Sequence, residues 1–233
     1  MAKLNRDMAL HADLINNKNR RLPICICIDV SSKAIRRESY LNTIGNCIKE
    51  LMDNILSQPS MKASVDLFVM AYAEKAEVKR EFSSLTNHED FKLTWLGNEP
   101  NMFSSLDLCL QKLQQRLNEY KNTSLSRHHP IVVILSSGYT SESPDEYERK
   151  VENWKSLESS RILSVLPILI GDGDDKLLRK MTADQKIANA TKGNLSDLIR
   201  EIGNSVEELS NSTSEAYRNL KANMVSWSDI GGK

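Results

Sequence analysis

The chain has 233 residues, 31 basic and 31 acidic side chains and an apolar share of 40%, enough for one large domain or two small ones with a sizeable core. Balanced charge argues against a nucleic-acid binder, and no apolar run approaches the length of a membrane span. No apolar leader segment opens the chain, so export is not expected. Cys25, Cys27, Cys47 and Cys109 lack disulfide or zinc-finger spacing, which suits free thiols in a reducing cytoplasm.

Residues 1–21 carry Leu4, Met8, Leu14 and Ile15 at roughly helical spacing, which predicts a short amphipathic extension followed by a polar linker. The linker's Lys18, Arg20 and Arg21 could touch an acidic partner or simply be solvated. Residues 22–29 form a continuous apolar run, predicting a strand buried on both faces, with Cys25 and Cys27 on one face as small hydrophobes. A helix is expected over 38–57, with Leu41, Ile44, Ile48, Leu51, Met52 and Ile55 as its stripe. Gln58, Pro59 and Ser60 should end it. A second apolar strand covers 65–73. After a two-residue turn, alternation over 76–82 predicts an antiparallel edge strand. Residues 85–98 are irregular.

A long helix is predicted over 102–121, with Leu106, Leu110, Leu113 and Leu117 on one side. A buried strand follows at 131–135. Pro144 suits the first turn of a helix reaching about 159, with Ser143 as its cap. The next strand, 162–170, contains Pro167, which weakens its centre or marks a bulge. Asp172, Gly173, Asp174 and Asp175 open a short helix containing Leu177 and Leu178. A last short strand at 187–190 leads to a helix over 195–209. Residues 211–233 form a polar tail whose Tyr217, Met224 and Trp227 could anchor a partner. Strand–helix alternation from Leu22 predicts one α/β domain over 22–210: a mostly parallel six-stranded sheet, one antiparallel edge strand and helices on both faces.

Three loops should converge at the carboxyl edge of this sheet, where open α/β sheets bind ligands. Asp29-x-Ser31 ends the first strand, Pro100 and Asn101 precede the long helix, and Ser136, Ser137 and Gly138 end a later strand. Asp-x-Ser supplies hard oxygens that suit Mg²⁺. The pattern resembles the von Willebrand factor A (vWA) domain, a Rossmann-like three-layer fold. Within that family it is most similar to the bacterial vWA proteins associated with tellurium resistance. The resemblance rests on the proline-led strand at 23–33, on Pro100 to Phe103 with Leu106, Asp107 and Leu108, and on the strand and turn at 131–140.

The resemblance implies a metal-ion-dependent adhesion site, where Mg²⁺ leaves a coordination position for a partner's acidic side chain. Asp29 and Ser31 match its first loop. Lys33 stands where a second Ser is expected, Pro100 where a Thr is, and Ser137 where an Asp is. With those positions changed, the resemblance implies a non-enzymatic interaction module whose metal site has decayed and which needs no cofactor. It would be an adaptor in a bacterial stress or defence system, beside a kinase or phosphatase. The alternative is a working Mg²⁺-dependent module in which Glu99, Asn101 or Glu142 substitutes. In either case the partner-binding edge comprises Ser32, Lys33, Glu99, Asn101, Ser137, Tyr139 and Glu142.

Lys33 has two readings. It curls back to neutralise Asp29, or it points to solvent while Asp29 caps local amides. A hydrolase using Ser31 or Ser137 would need a paired base, and no Gly-x-Ser-x-Gly surrounds either. Residues 172–175 lack EF-hand spacing and read as an acidic helix start. His128 and His129 read as loop residues, and Trp95 and Trp154 as packing.

Overall fold

Alternation within the first apolar run decides the layers. In β1 (Leu22–Asp29) every residue is buried. Leu22, Ile24, Ile26 and Ile28 enter one core, and Cys25 and Cys27 enter the other. The computed structural model describes residues 19–87, 91–190 and 194–211, the last four without their side chains. The expected N-terminal amphipathic helix and the C-terminal tail lie outside the described residues.

The described elements continue with α1 (Glu38–Ser57), α2 (Pro59–Ser64), β2 (Val65–Tyr72), β3 (Ala76–Ser84), α3 (Met102–Asn122) and β4 (Ile131–Ser136). Then come α4 (Pro144–Ser159), β5 (Ser164–Leu169), α5 (Lys176–Lys180), β6 (Ala188–Asn189) and α6 (Leu195–Asn211). The sheet order is β3-β2-β1-β4-β5-β6, parallel throughout except for the β2–β3 pair. Helices α1, α2 and α6 cover one face, and α3, α4 and α5 cover the other. Each fully buried Leu or Ile in these layers contributes about 1.5–3 kcal/mol. Burial pushes the Cys25 and Cys27 thiols up and keeps them protonated, so they pack as small hydrophobes against α3.

The structure refines three sequence expectations. Gln58 and Pro59 do not open a loop. Pro59 starts the short helix α2, where its missing N–H costs nothing. The β2–β3 turn has three residues, 73–75, closed by Ala73 N–H donating to Lys75 O at 3.0 Å. Pro167 makes no bulge, because β4 and β5 pair in unbroken register. Ser164 and Ile170 both direct their N–H groups to β4, at 2.9 Å each, so by alternation the Pro167 nitrogen faces away from it. The neighbour on that side, β6, pairs only with Ile168 and Leu169, and no ladder bond is lost. Ser143 and Pro144 behave as expected, with a capping box between Ser143 and Glu146.

A buried ionic network joins the sheet to α3 at the amino end of β2. Asp66 accepts from Arg116 Nε at 2.6 Å and from the Tyr120 hydroxyl. Irregular register in the β2–β3 ladder leaves the Leu67 carbonyl to accept from Arg80 Nη1. Arg21 Nη1 donates to Ala63 O at 3.1 Å and Nη2 to Ser84 Oγ at 2.7 Å.

Candidate functional site

Because the chain leaves β1 for β2 on one side and returns to β4 on the other, the loops after β1 and β4 part company at the sheet's centre. Asp29 is the last residue of β1, fully buried at that crevice. Its Oδ1 accepts from Ser31 Oγ at 2.6 Å and Ser31 N–H at 3.0 Å. Its Oδ2 accepts from Ser137 Oγ at 2.7 Å and Ser137 N–H at 3.2 Å. Asp29, Ser31 and Ser137, brought together by inference from sequence, are thus in contact. Beneath them, Tyr72 pairs in register with Asp29, and its buried hydroxyl makes no hydrogen bond of sound geometry. Burial, then the Asp29 charge, push its pKa well up.

Lys33 does not neutralise Asp29. The first loop is pinned outward by Ser32, whose N–H donates to Gly97 O at 3.3 Å and whose hydroxyl donates to Asn98 O at 3.2 Å. Lys33 is half exposed, and its ammonium lies 3.6 Å from Glu99 Oε1. The second reading therefore holds: Asp29 receives amides and hydroxyls, and Lys33 faces solvent. Pro100 is buried and offers only its carbonyl, which accepts from Ser141 N–H at 2.9 Å. Asn101 donates to Glu74 O at 3.0 Å and accepts from the Ser141 hydroxyl.

Glu142, a candidate substitute ligand, is engaged elsewhere. It accepts from Phe103 N–H at 2.8 Å, Ser104 N–H at 2.7 Å, Ser104 Oγ at 2.6 Å and Thr140 Oγ1 at 2.7 Å. Burial raises its pKa, but these hydrogen bonds outweigh it and hold the carboxyl below its ordinary value. The third loop thereby caps the first turn of α3, a role the sequence did not reveal because cap and helix are far apart in the chain. Tyr139 is exposed on the same rim.

Two glycines make the edge tight. Gly138 has φ +74°, and a Cβ there would stand 1.8 Å from Asp174 O. A Cβ on Gly173 would stand 1.9 Å from Ser137 O. Asp174 N–H donates to that same Ser137 carbonyl at 3.0 Å, so the loops after β4 and β5 interlock.

As a metal site the donor set is poor. It holds one carboxylate with both oxygens already accepting, no side-chain donor at Pro100, and an ammonium on the rim. Among the described residues no group of three or more His, Cys, Asp or Glu side chains is placed to hold a metal ion. As a nucleophile site it shows no paired base among the described residues: both serine hydroxyls donate to Asp29, and His128 and His129 precede β4 at the opposite edge. The acidic run 172–175 is ion-paired, with Arg36 on Asp172 at 3.1 Å and Arg179 on Asp175 at 2.8 Å.

No family model and no curated protein matches the sequence. Solved structures do match. Proximal thread matrix protein 1 from the mussel byssus superposes with a TM-score of 0.59 at 14% identity, over 82% of this chain and 48% of its own. The manganese-loaded Plasmodium vivax TRAP protein gives 0.55 at 14% identity, over 78% and 72%. A von Willebrand factor type A structure from Catenulispora acidiphila gives 0.57 at 14%, over 81% and 43%. The chain has the vWA fold. It spans about half the length of the mussel chain, and at such identities the likeness is one of fold.

In this vWA fold Asp29 occupies the carboxyl end of the central strand, and its pKa is raised. Burial is the largest cause, and it outweighs the hydrogen bonds from Ser31 and Ser137. A carboxyl raised above its unfolded value carries its full penalty at neutral pH and sheds it as pH falls through the folded value. The stability difference between wild type and Asp29→Asn should therefore move in favour of wild type as pH is lowered from neutral through the folded value. Paired urea titrations check this, and a difference that moves the other way would contradict the burial account.

Proposed function

We propose that this vWA-fold chain is a non-enzymatic protein-interaction module whose loop edge binds its partner without a divalent cation. The observation that supports it is the Asp29 carboxylate, with both oxygens satisfied by Ser31 and Ser137. The TRAP structure is manganese-loaded, so the fold admits a cation. The donor set argues against one here. Ser32, Lys33, Glu99, Asn101, Ser137, Tyr139 and Glu142 form or support the docking rim.

The resemblance to tellurium-resistance vWA proteins supports a narrower proposal, an adaptor beside a kinase or phosphatase in a bacterial stress or defence system. Four buried free cysteines suit a reducing cytoplasm. No described helix is long and apolar enough to cross a membrane.

Isothermal titration with Mg²⁺ and with Mn²⁺ is expected to show no binding tighter than millimolar. Sub-millimolar binding that disappears in Asp29→Ala would overturn the cation-free reading and favour substitute ligands.

A further inference from the structure

The amino edge of the sheet, opposite the loop edge, carries a row of arginines. Arg20 stands two residues before β1, Arg127 four before β4 and Arg161 three before β5. These strands are consecutive neighbours. Adjacent strands lie about 4.8 Å apart, so the row is about 10 Å long. Arg20 Nε donates to Arg127 O at 3.0 Å, and Arg21 bridges to Arg127. All three arginines are exposed, and none forms an ion pair with a described residue.

Three further features mark this edge. Ile162, next to Arg161, is 46% exposed, the most of any large apolar side chain described. Arg161 itself has φ +55°, a left-handed conformation that glycine would adopt at less cost. Glu158, in the last turn of α4, accepts from Ala183 N–H at 2.6 Å.

We propose that this arginine row is a docking site for an acidic peptide segment of a partner protein, one that also offers an apolar side chain to Ile162. Guanidinium groups pair with carboxylates in a bidentate fork. Three cations over so short a row are too few for a duplex, whose binders neutralise several phosphates each. A nucleic-acid backbone also offers nothing apolar to Ile162.

The site is linked to protons. Burial first, then Arg20, lowers the pKa of His128. His129 is lowered by burial, with Arg127 and Arg161 adding to it and Glu158 and a hydrogen bond with the Leu163 backbone opposing. A carboxylate docked on the row offsets the arginine charges and lifts both imidazoles. Binding then takes up protons, and affinity rises as pH falls through the histidine range.

The test is fluorescence anisotropy with a labelled peptide of Glu-Glu-Leu repeats and the full chain. Saturable binding is expected, tighter at pH 6 than at pH 8. Arg127→Ala and Arg161→Gly should each weaken it about fivefold, and Arg161→Gly should leave the melting temperature unchanged or higher. Three outcomes overturn the proposal: no saturable binding, unchanged affinity in Arg161→Gly, or equal affinity for an oligothymidylate or a phosphatidylserine vesicle.

Discussion

Asp66→Ala is expected to cost the fold about 3 kcal/mol or more, read as a fall in the urea midpoint at unchanged slope. The Asp66 side chain is fully buried and Arg116 is 2% exposed. Removing the carboxylate leaves a guanidinium away from water and strands the Tyr120 hydroxyl. Glu119 still pairs with Arg116 Nη1 at 2.8 Å, which keeps the loss near the lower end of the range for broken buried pairs. The doubly apolar variant Asp66→Leu with Arg116→Met should recover much of it, because it removes both charges together. A single-variant loss below about 1 kcal/mol would mean that solvent reaches the pair.

Gly138→Ala should be of similar size, about 2–5 kcal/mol, and should also disorganise the loop edge. Two separate obstacles add. The backbone is left-handed, and the new methyl would stand 1.8 Å from a main-chain oxygen that cannot rotate aside. To make room, the loops after β4 and β5 must separate, and Ser137 is then drawn off Asp29 Oδ2. The control is Ser137→Ala, which deletes only a hydroxyl and leaves one acceptor short, for about 1–3 kcal/mol. If Gly138→Ala costs no more than the control, the interlocking of the two loops is not what holds the edge.

Much of the site was readable because its parts sit at strand ends. The apolar run of β1 stops at Asp29 and that of β4 stops at Ser136, so topology alone delivers Asp29, Ser31 and Ser137 to one edge. Side-chain partners were not readable in the same way. Glu142 looked available as a ligand, yet it caps α3 from 38 and 39 positions away. Lys33 was a candidate cation for Asp29, yet Ser32's bonds to Gly97 and Asn98 carry it to Glu99. Gly138 was visible at the end of a strand and Gly173 at the start of a short helix, but not as the two halves of one close backbone contact.

By itself the sequence determined the element order apart from α2, the two-faced burial of β1, the antiparallel edge strand and the capped start of α4. Each of these depends on periodicity or on neighbours within a few residues, where hydrophobic patterning and turn chemistry act directly. Only the tertiary structure decided which charges pair. Asp66 meets Arg116 across 50 positions, Lys33 meets Glu99, and three arginines from separate segments align on one edge. Those outcomes depend on strand order and loop paths, which place side chains that no local pattern connects.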